Sequence, residues 1–199
     1  MVGALMAYLA LIALATLIAN GGRQLRFIAV AFIGVSVIAT AIAAGAAPIP
    51  QLAVTAAAGL VSAGILFVAA RDNVYGEDPG WRLWLGTFTA AIVTPIAYAS
   101  FRTVAGEAVA LPLFEDGSGV IVEVAGVWLL SSGVAILLTA RSAGRTALAG
   151  LVMITGVQLL ARLLPGSHLA SSLVLAWLEV VIALGGAFLI VNERAVLES

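Results

Sequence analysis

The sequence predicts an all-α polytopic membrane protein of about seven transmembrane helices, N-terminus outside and C-terminus cytoplasmic. Three observations carry that prediction. The first is composition: 63% of the 199 residues are hydrophobic and 10% charged, with a mean hydropathy of +1.18. A soluble domain carries roughly a quarter charged residues. The second is that the apolar runs recur, each approaching the ~20 residues that cross a bilayer as a helix. The third is that arginine is concentrated in alternate loops, the pattern that sets orientation in a membrane.

The spans, taken in order, are expected at about 2–20, 27–46, 51–70, 82–100, 119–140, 146–164 and 171–191. The first run, MVGALMAYLALIALATLIAN, lacks a positive region ahead of its apolar stretch and reads as a span rather than a cleaved signal peptide. All the runs are rich in Ala, Val, Leu, Ile and Gly with no alternating polar face, which suits helices in lipid and argues against a β-barrel. Pro95 falls inside the fourth span and is expected to kink or loosen it. The connection of about 101–118 is the longest, is acidic and contains Pro112. It is expected to lie along the surface as a short amphipathic segment. The layout is 3 + 1 + 3, a single transmembrane domain over 1–199, with no sequence repeat clear enough to assert between the triplets.

Orientation follows from Arg23 and Arg26 after the first span, Arg71 and Arg82 after the third, Arg141 and Arg145 after the fifth, and Arg194 in the tail. The alternate loops contain Arg102 alone, which places them outside. Trp81 and Trp84 sit where an interfacial belt is expected, while Trp128 and Trp177 lie deeper. Gly126 and Gly133, Gly150 and Gly156, and Gly185 and Gly186 are expected at close helix contacts.

Several functions are excluded. There is no cysteine, one histidine and no lysine. Thiolate metal sites, paired haem ligands and a Schiff-base lysine for retinal are all absent, and no serine sits in a nucleophile motif. No basic patch suits nucleic acid, and no cofactor is expected.

The candidate site is a set of intramembrane polar residues. Glu179 lies about eight residues into the last span, roughly 12 Å deep. An ionisable group there costs at least ~2.5 kcal/mol to insert and is a functional candidate by default. Thr155, Gln158 and Arg162 form a ladder on one face of the sixth span, and the short PGSHLA connection makes that span the neighbour of the seventh. Arg162 is then expected either to converge on Glu179 or to snorkel to the interface. Glu123, near the outer start of the fifth span, joins the candidate ion path, although a solvated or capping carboxylate is its blander reading. His168 reads as a turn residue.

The run Leu175-Ala176-Trp177-Leu178-Glu179-Val180-Val181-Ile182-Ala183-Leu184 resembles the LAxxExxIxL third helix of the K-type (chain 4L) subunit of respiratory complex I. Arg141 followed by Ala149-Gly150-Leu151-Val152-Met153-Ile154-Thr155 is similar to that family's basic loop and second helix. Over the whole chain, span count and loop pattern resemble component E of the membrane-bound hydrogenases of formate-hydrogenlyase type. Leu138-Thr139-Ala140-Arg141 and Ala97-Tyr98-Ala99-Ser100-Phe101-Arg102 fall where that family has similar segments. Two departures stand out: the K-type second-helix glutamate falls on Leu151, and the component E lysine falls near Gly64.

The resemblance implies a non-catalytic subunit of a redox-driven, ion-translocating complex in a prokaryotic inner membrane. Its partners would be antiporter-like or hydrogenase-like integral subunits and lipids, and Glu179 would be its one relay carboxylate. A stand-alone small transporter and a purely structural subunit of another respiratory or photosynthetic complex are the alternatives.

Overall fold

The computed structural model describes residues 2–22, 24–45, 47–70, 79–108, 117–163 and 169–197. His168, Arg23, Arg71 and Pro112 lie outside the described residues. Seven α-helices appear among the described residues and no strand does: α1 (Val2–Gly21), α2 (Leu25–Ala43), α3 (Ile49–Ala69), α4 (Gly80–Thr103), α5 (Gly117–Thr139), α6 (Ala143–Leu160) and α7 (Leu169–Leu197). Six of them, α2 to α7, contain a stretch long and apolar enough to cross a membrane; α1 contributes a shorter apolar helix, Met6–Gly21. This chain is therefore an all-helical membrane protein.

Boundaries fall within a few residues of expectation, with three informative differences. α7 runs on to Leu197, so its charged NER segment stays helical. α6 ends at Leu160, and the chain tightens into a 3-10 turn, Ala161–Leu163, that carries Arg162. α4 continues through Pro95, which withdraws one backbone donor from the ladder without ending the helix. It then widens into a π turn, Val104–Ala108, so the first part of the 101–118 connection prolongs α4 instead of forming a separate surface segment.

The two triplets face each other. α1 packs on α5, α2 on α6 and α3 on α7, while α1–α2–α3 and α5–α6–α7 are each joined side by side. α4 stands at the edge against α5 and α1. Facing helices run parallel: α3 meets α7 at Gly59 beside Glu179 and again at Leu66 beside Gly186. α5 and α6 make the tightest seam. A Cβ on Gly156 would come 2.8 Å from the Gly126 carbonyl oxygen, and one on Gly133 would come 2.9 Å from that of Ala149. Gly150 and Gly186 admit Ile182 and Ala147 between α6 and α7, whereas Gly185 faces open space. Without a hydrophobic force between helices in lipid, such close backbone approach supplies much of the packing.

One end of the bundle is tied by arginines. Arg145, 5% exposed, donates to the carbonyl oxygens of Asn20 and Gly22 and to Asn20 Oδ1. It thereby satisfies the last carbonyls of α1. Asn20 passes the link on, its Nδ2 donating to the Leu83 carbonyl and Thr87 Oγ1 of α4 at 3.1 Å each. Arg82 reaches the Thr139 carbonyl at the end of α5. Glu193 accepts the Ala143 backbone N–H at 3.1 Å, placing a carboxylate at the α6 N-terminus. Trp81 and Trp84 at this end are exposed, and so is Trp177 on the flank of α7. Trp128 instead turns inward and donates to Thr16 Oγ1.

Candidate functional site

Glu179 lies at the junction of α2, α3, α6 and α7 and is 1% exposed. Gln158 Nε2 donates to its Oε2 at 2.7 Å, a buried bond between adjacent helices. This is the contact that puts one carboxylate oxygen in a fixed position. The other oxygen, Oε1, has no hydrogen-bond partner. It lies over Gly59, where the Ser36 hydroxyl also crowds in, and any side chain on residue 59 would fill the space the two groups share. Leaving a carboxylate oxygen buried and unpaired costs stability, so Oε1 is an atom suited to take a proton, a water or an ion.

Two small cavities adjoin Gln158, the residue bonded to this carboxylate. One is lined by Ser36, Thr40, Thr55, Thr155, Gln158 and Arg162, the other by Gln51, Thr55, Gln158, Arg162, Ser171 and Ser172, together with a few apolar groups. They share Thr55, Gln158 and Arg162. Each offers about 10 Å³, the space of roughly one water molecule. The threonines contribute in a particular sense. Thr40, Thr55 and Thr155 donate their hydroxyl protons to carbonyls of their own helices, which leaves oxygen lone pairs for whatever occupies the cavities.

Arg162 does not bond to Glu179. It is partly buried, and its Nε and Nη1 atoms are enclosed with no partner. The expected ladder is thus real as a shared lining, since Thr155, Gln158 and Arg162 border one cavity. Arg162 and Glu179 do not converge directly: Gln158 bonds to Glu179 and shares the lining of both cavities with Arg162. The 3-10 turn explains the difference: it rotates Arg162 off the i, i+4 line that a continued α6 would have kept with Gln158.

Beyond Glu179, toward the arginine-tied end, polarity stops. Ser62, one turn on from Gly59 and fully buried, is the last hydroxyl on that face of α3. After it come Leu66 on α3 and Ala183, Gly186 and Ile190 on α7, all packed in the apolar core or against it. Among the described residues, the polar approach to Glu179 therefore comes from the Arg162 end.

Glu123 is elsewhere. It is fully buried between α4 and α5, where Arg102 Nη1 donates to its Oε2 at 3.1 Å and Tyr98 Oη at 3.4 Å. The blander expectation of a solvated carboxylate does not hold, because α4 extends far enough past the expected boundary to bring Arg102 alongside. Comparison with known protein families, curated proteins and solved structures finds no match to this chain. What the site does must therefore be argued from its own chemistry.

That chemistry is narrow. Single-water cavities cannot hold an organic substrate, which needs a pocket of hundreds of Å³. Among the described residues, no group of three acidic or histidine side chains forms a metal centre. Ser36, Thr40, Gln51, Thr55 and Gly59, which build the α2 and α3 side of the chamber, escaped the sequence reading. Small and hydroxyl residues are scattered through every span, and nothing in their spacing marks these five.

Proposed function

We propose that this chain is an integral membrane-arm subunit of a redox-driven, ion-translocating complex, complex-I-like or group-4-hydrogenase-like. It scaffolds the arm and contributes one proton-relay carboxylate, Glu179. The observation that carries the proposal is the unpartnered, buried Oε1 of Glu179, whose partner Gln158 lines two cavities of water size. A proton is the cation that such a site accommodates without a coordination shell. The resemblance of the Leu175–Leu184 run to a K-type third helix supports the same reading. So does the apolar seal beyond Ser62, because a carboxylate reached from one end completes a path only with groups supplied by a neighbour.

The chain would span the membrane seven times, N-terminus outside and C-terminus in the cytoplasm, in a prokaryotic inner membrane. The Arg145-tied end would be cytoplasmic and the Arg162 chamber would face outward. Antiporter-like or hydrogenase-like subunits and lipids would cover the apolar flanks of α4 and α7. The subunit would be non-catalytic, with the redox chemistry in its partners.

Ion pumping by the intact complex in proteoliposomes tests this, with wild type and Glu179→Gln compared at equal assembly. Lost pumping with assembly preserved is the expected result. Unchanged pumping would make Glu179 structural. Purification of the chain alone, with no larger complex from any native membrane, would overturn the subunit reading and favour a solitary transporter.

A further inference from the structure

We propose that Arg162 is a specificity-determining residue that keeps Na⁺ and K⁺ off Glu179 by holding a fixed positive charge in its polar approach. The inference rests on the reading of Glu179 as a proton-accepting group. Arg162 borders both cavities, and Gln158, which also borders both, is the group bonded to Glu179. A cation moving through either cavity must therefore pass beside the guanidinium. Among the described residues no carboxylate pairs with Arg162, and no other charged side chain lines the cavities. The groups facing Glu179 are Ser36 from α2, Gly59 from α3 and Gln158 from α6, none of them charged.

Three features make the charge selective rather than merely inhibitory. A metal cation entering a one-water cavity must shed most of its hydration, and the replacement ligands are a few hydroxyl and amide oxygens. Gln158 presents an N–H donor to Oε2, which occupies that oxygen with a group that repels a metal ion. Repulsion by Arg162 burdens every cation, but a proton forms a covalent O–H bond with Oε1 and keeps its place. Na⁺ and K⁺, held by electrostatics alone, fall out of their working range. Snorkelling would instead present the whole guanidinium to water, whereas Nε and Nη1 are enclosed.

The test is labelling of Glu179 by dicyclohexylcarbodiimide, which modifies protonated carboxyl groups in apolar surroundings, read by mass spectrometry on the full chain in its native complex. In wild type, raising Na⁺ should leave the labelling rate unchanged. In Arg162→Gln, Na⁺ should slow labelling by about tenfold, the order expected when a unit charge acting over about 10 Å through an effective dielectric constant of about 20 is removed. Arg162→Lys keeps the charge and should behave as wild type. Protection of the wild type by Na⁺ would overturn the proposal, as would labelling of Arg162→Gln that ignores Na⁺, or an Arg162→Lys variant that responds like Arg162→Gln. Arg162→Met, which removes the charge and keeps the apolar stem, is the second neutral variant should Arg162→Gln fail to fold, and its labelling should show the same slowing by Na⁺; labelling that ignores Na⁺ would overturn the proposal. Absence of wild-type labelling at any pH is a different result: it would remove the proton-accepting role of Glu179 itself.

Discussion

Gly59→Ala is the substitution that most directly probes the chamber. A methyl group at residue 59 would overlap the Ser36 hydroxyl, stand 2.8 Å from Ser36 Cβ and reach 3.5 Å from Glu179 Oε1. Overpacking of this kind costs about 1–3 kcal/mol. Alanine returns up to ~1 kcal/mol through its better helix propensity, so the net loss is about 0–2 kcal/mol. Gly64→Ala on the same helix is the control. Nothing lies within 4 Å of a Cβ there, which leaves the propensity gain alone. The two variants should then differ by about 2 kcal/mol, roughly thirtyfold in the unfolding constant. Reversible unfolding in mixed micelles, followed by circular dichroism, measures it. Ser36→Gly in the Gly59→Ala background should restore stability, and Ser36→Ala should do so incompletely because its Cβ remains. Equal midpoints for Gly59→Ala and Gly64→Ala would refute the close packing of α2 on α3 and the shaped space over Glu179.

Other consequences are measurable in the same way. Glu179→Gln should stay within about 1 kcal/mol of wild type, because an amide can keep the Gln158 bond and removes an unsatisfied carboxylate oxygen; a larger loss would mark Glu179 as structural. Arg145→Ala should lower stability by about 3 kcal/mol, since three buried acceptors at the end of α1 lose their donor at once, and a thermal shift within error would contradict the cap. Arg102→Ala should cost about 2 kcal/mol by leaving Glu123 buried without its cation, and a second change, Glu123→Met, should recover most of that in a double-mutant cycle. The chain contains no cysteine, so Gly45→Cys and Ala195→Cys report orientation cleanly. An impermeant maleimide should label the first in intact cells and the second after permeabilisation, and the reverse pattern would invert the proposed topology.

The helices were legible because bilayer length and apolarity are properties of single segments. Their ends were less so: α4 gains length from a π turn past Thr103, and α7 absorbs Asn192, Glu193 and Arg194, neither of which hydropathy marks. Gln158 and Glu179 were findable because a short connection forces α6 and α7 to be neighbours and both residues are conspicuous in an apolar run. The partner of Glu123 was not, since Arg102 lies across a connection whose path the sequence does not determine. Ser36 and Gly59 carried no signal at all: their contribution is the absence of bulk, in a chain with 21 glycines. Arg145 counted in the sequence as one more interfacial charge, yet its burial makes it the clasp between α1 and α6.

Two membrane carboxylates in one chain receive opposite treatment. Glu123 is met directly by an arginine and a tyrosine, which hold it in place and join α4 to α5. Such a pair is costly to break and suits a structural joint. Glu179 is instead held by one oxygen by Gln158, which lines two cavities together with Arg162. A direct ion pair would have satisfied Glu179 Oε1 and the idle guanidinium donors together, and stability alone would favour it. Keeping them apart leaves unmet bonding on both sides of a chamber with room for water. Environments that separate the behaviour of two like groups are what assign them different tasks. On that argument the Arg102–Glu123 pair is a structural joint between α4 and α5, and the Glu179 site, with its open oxygen, is where we propose that an ion is handled.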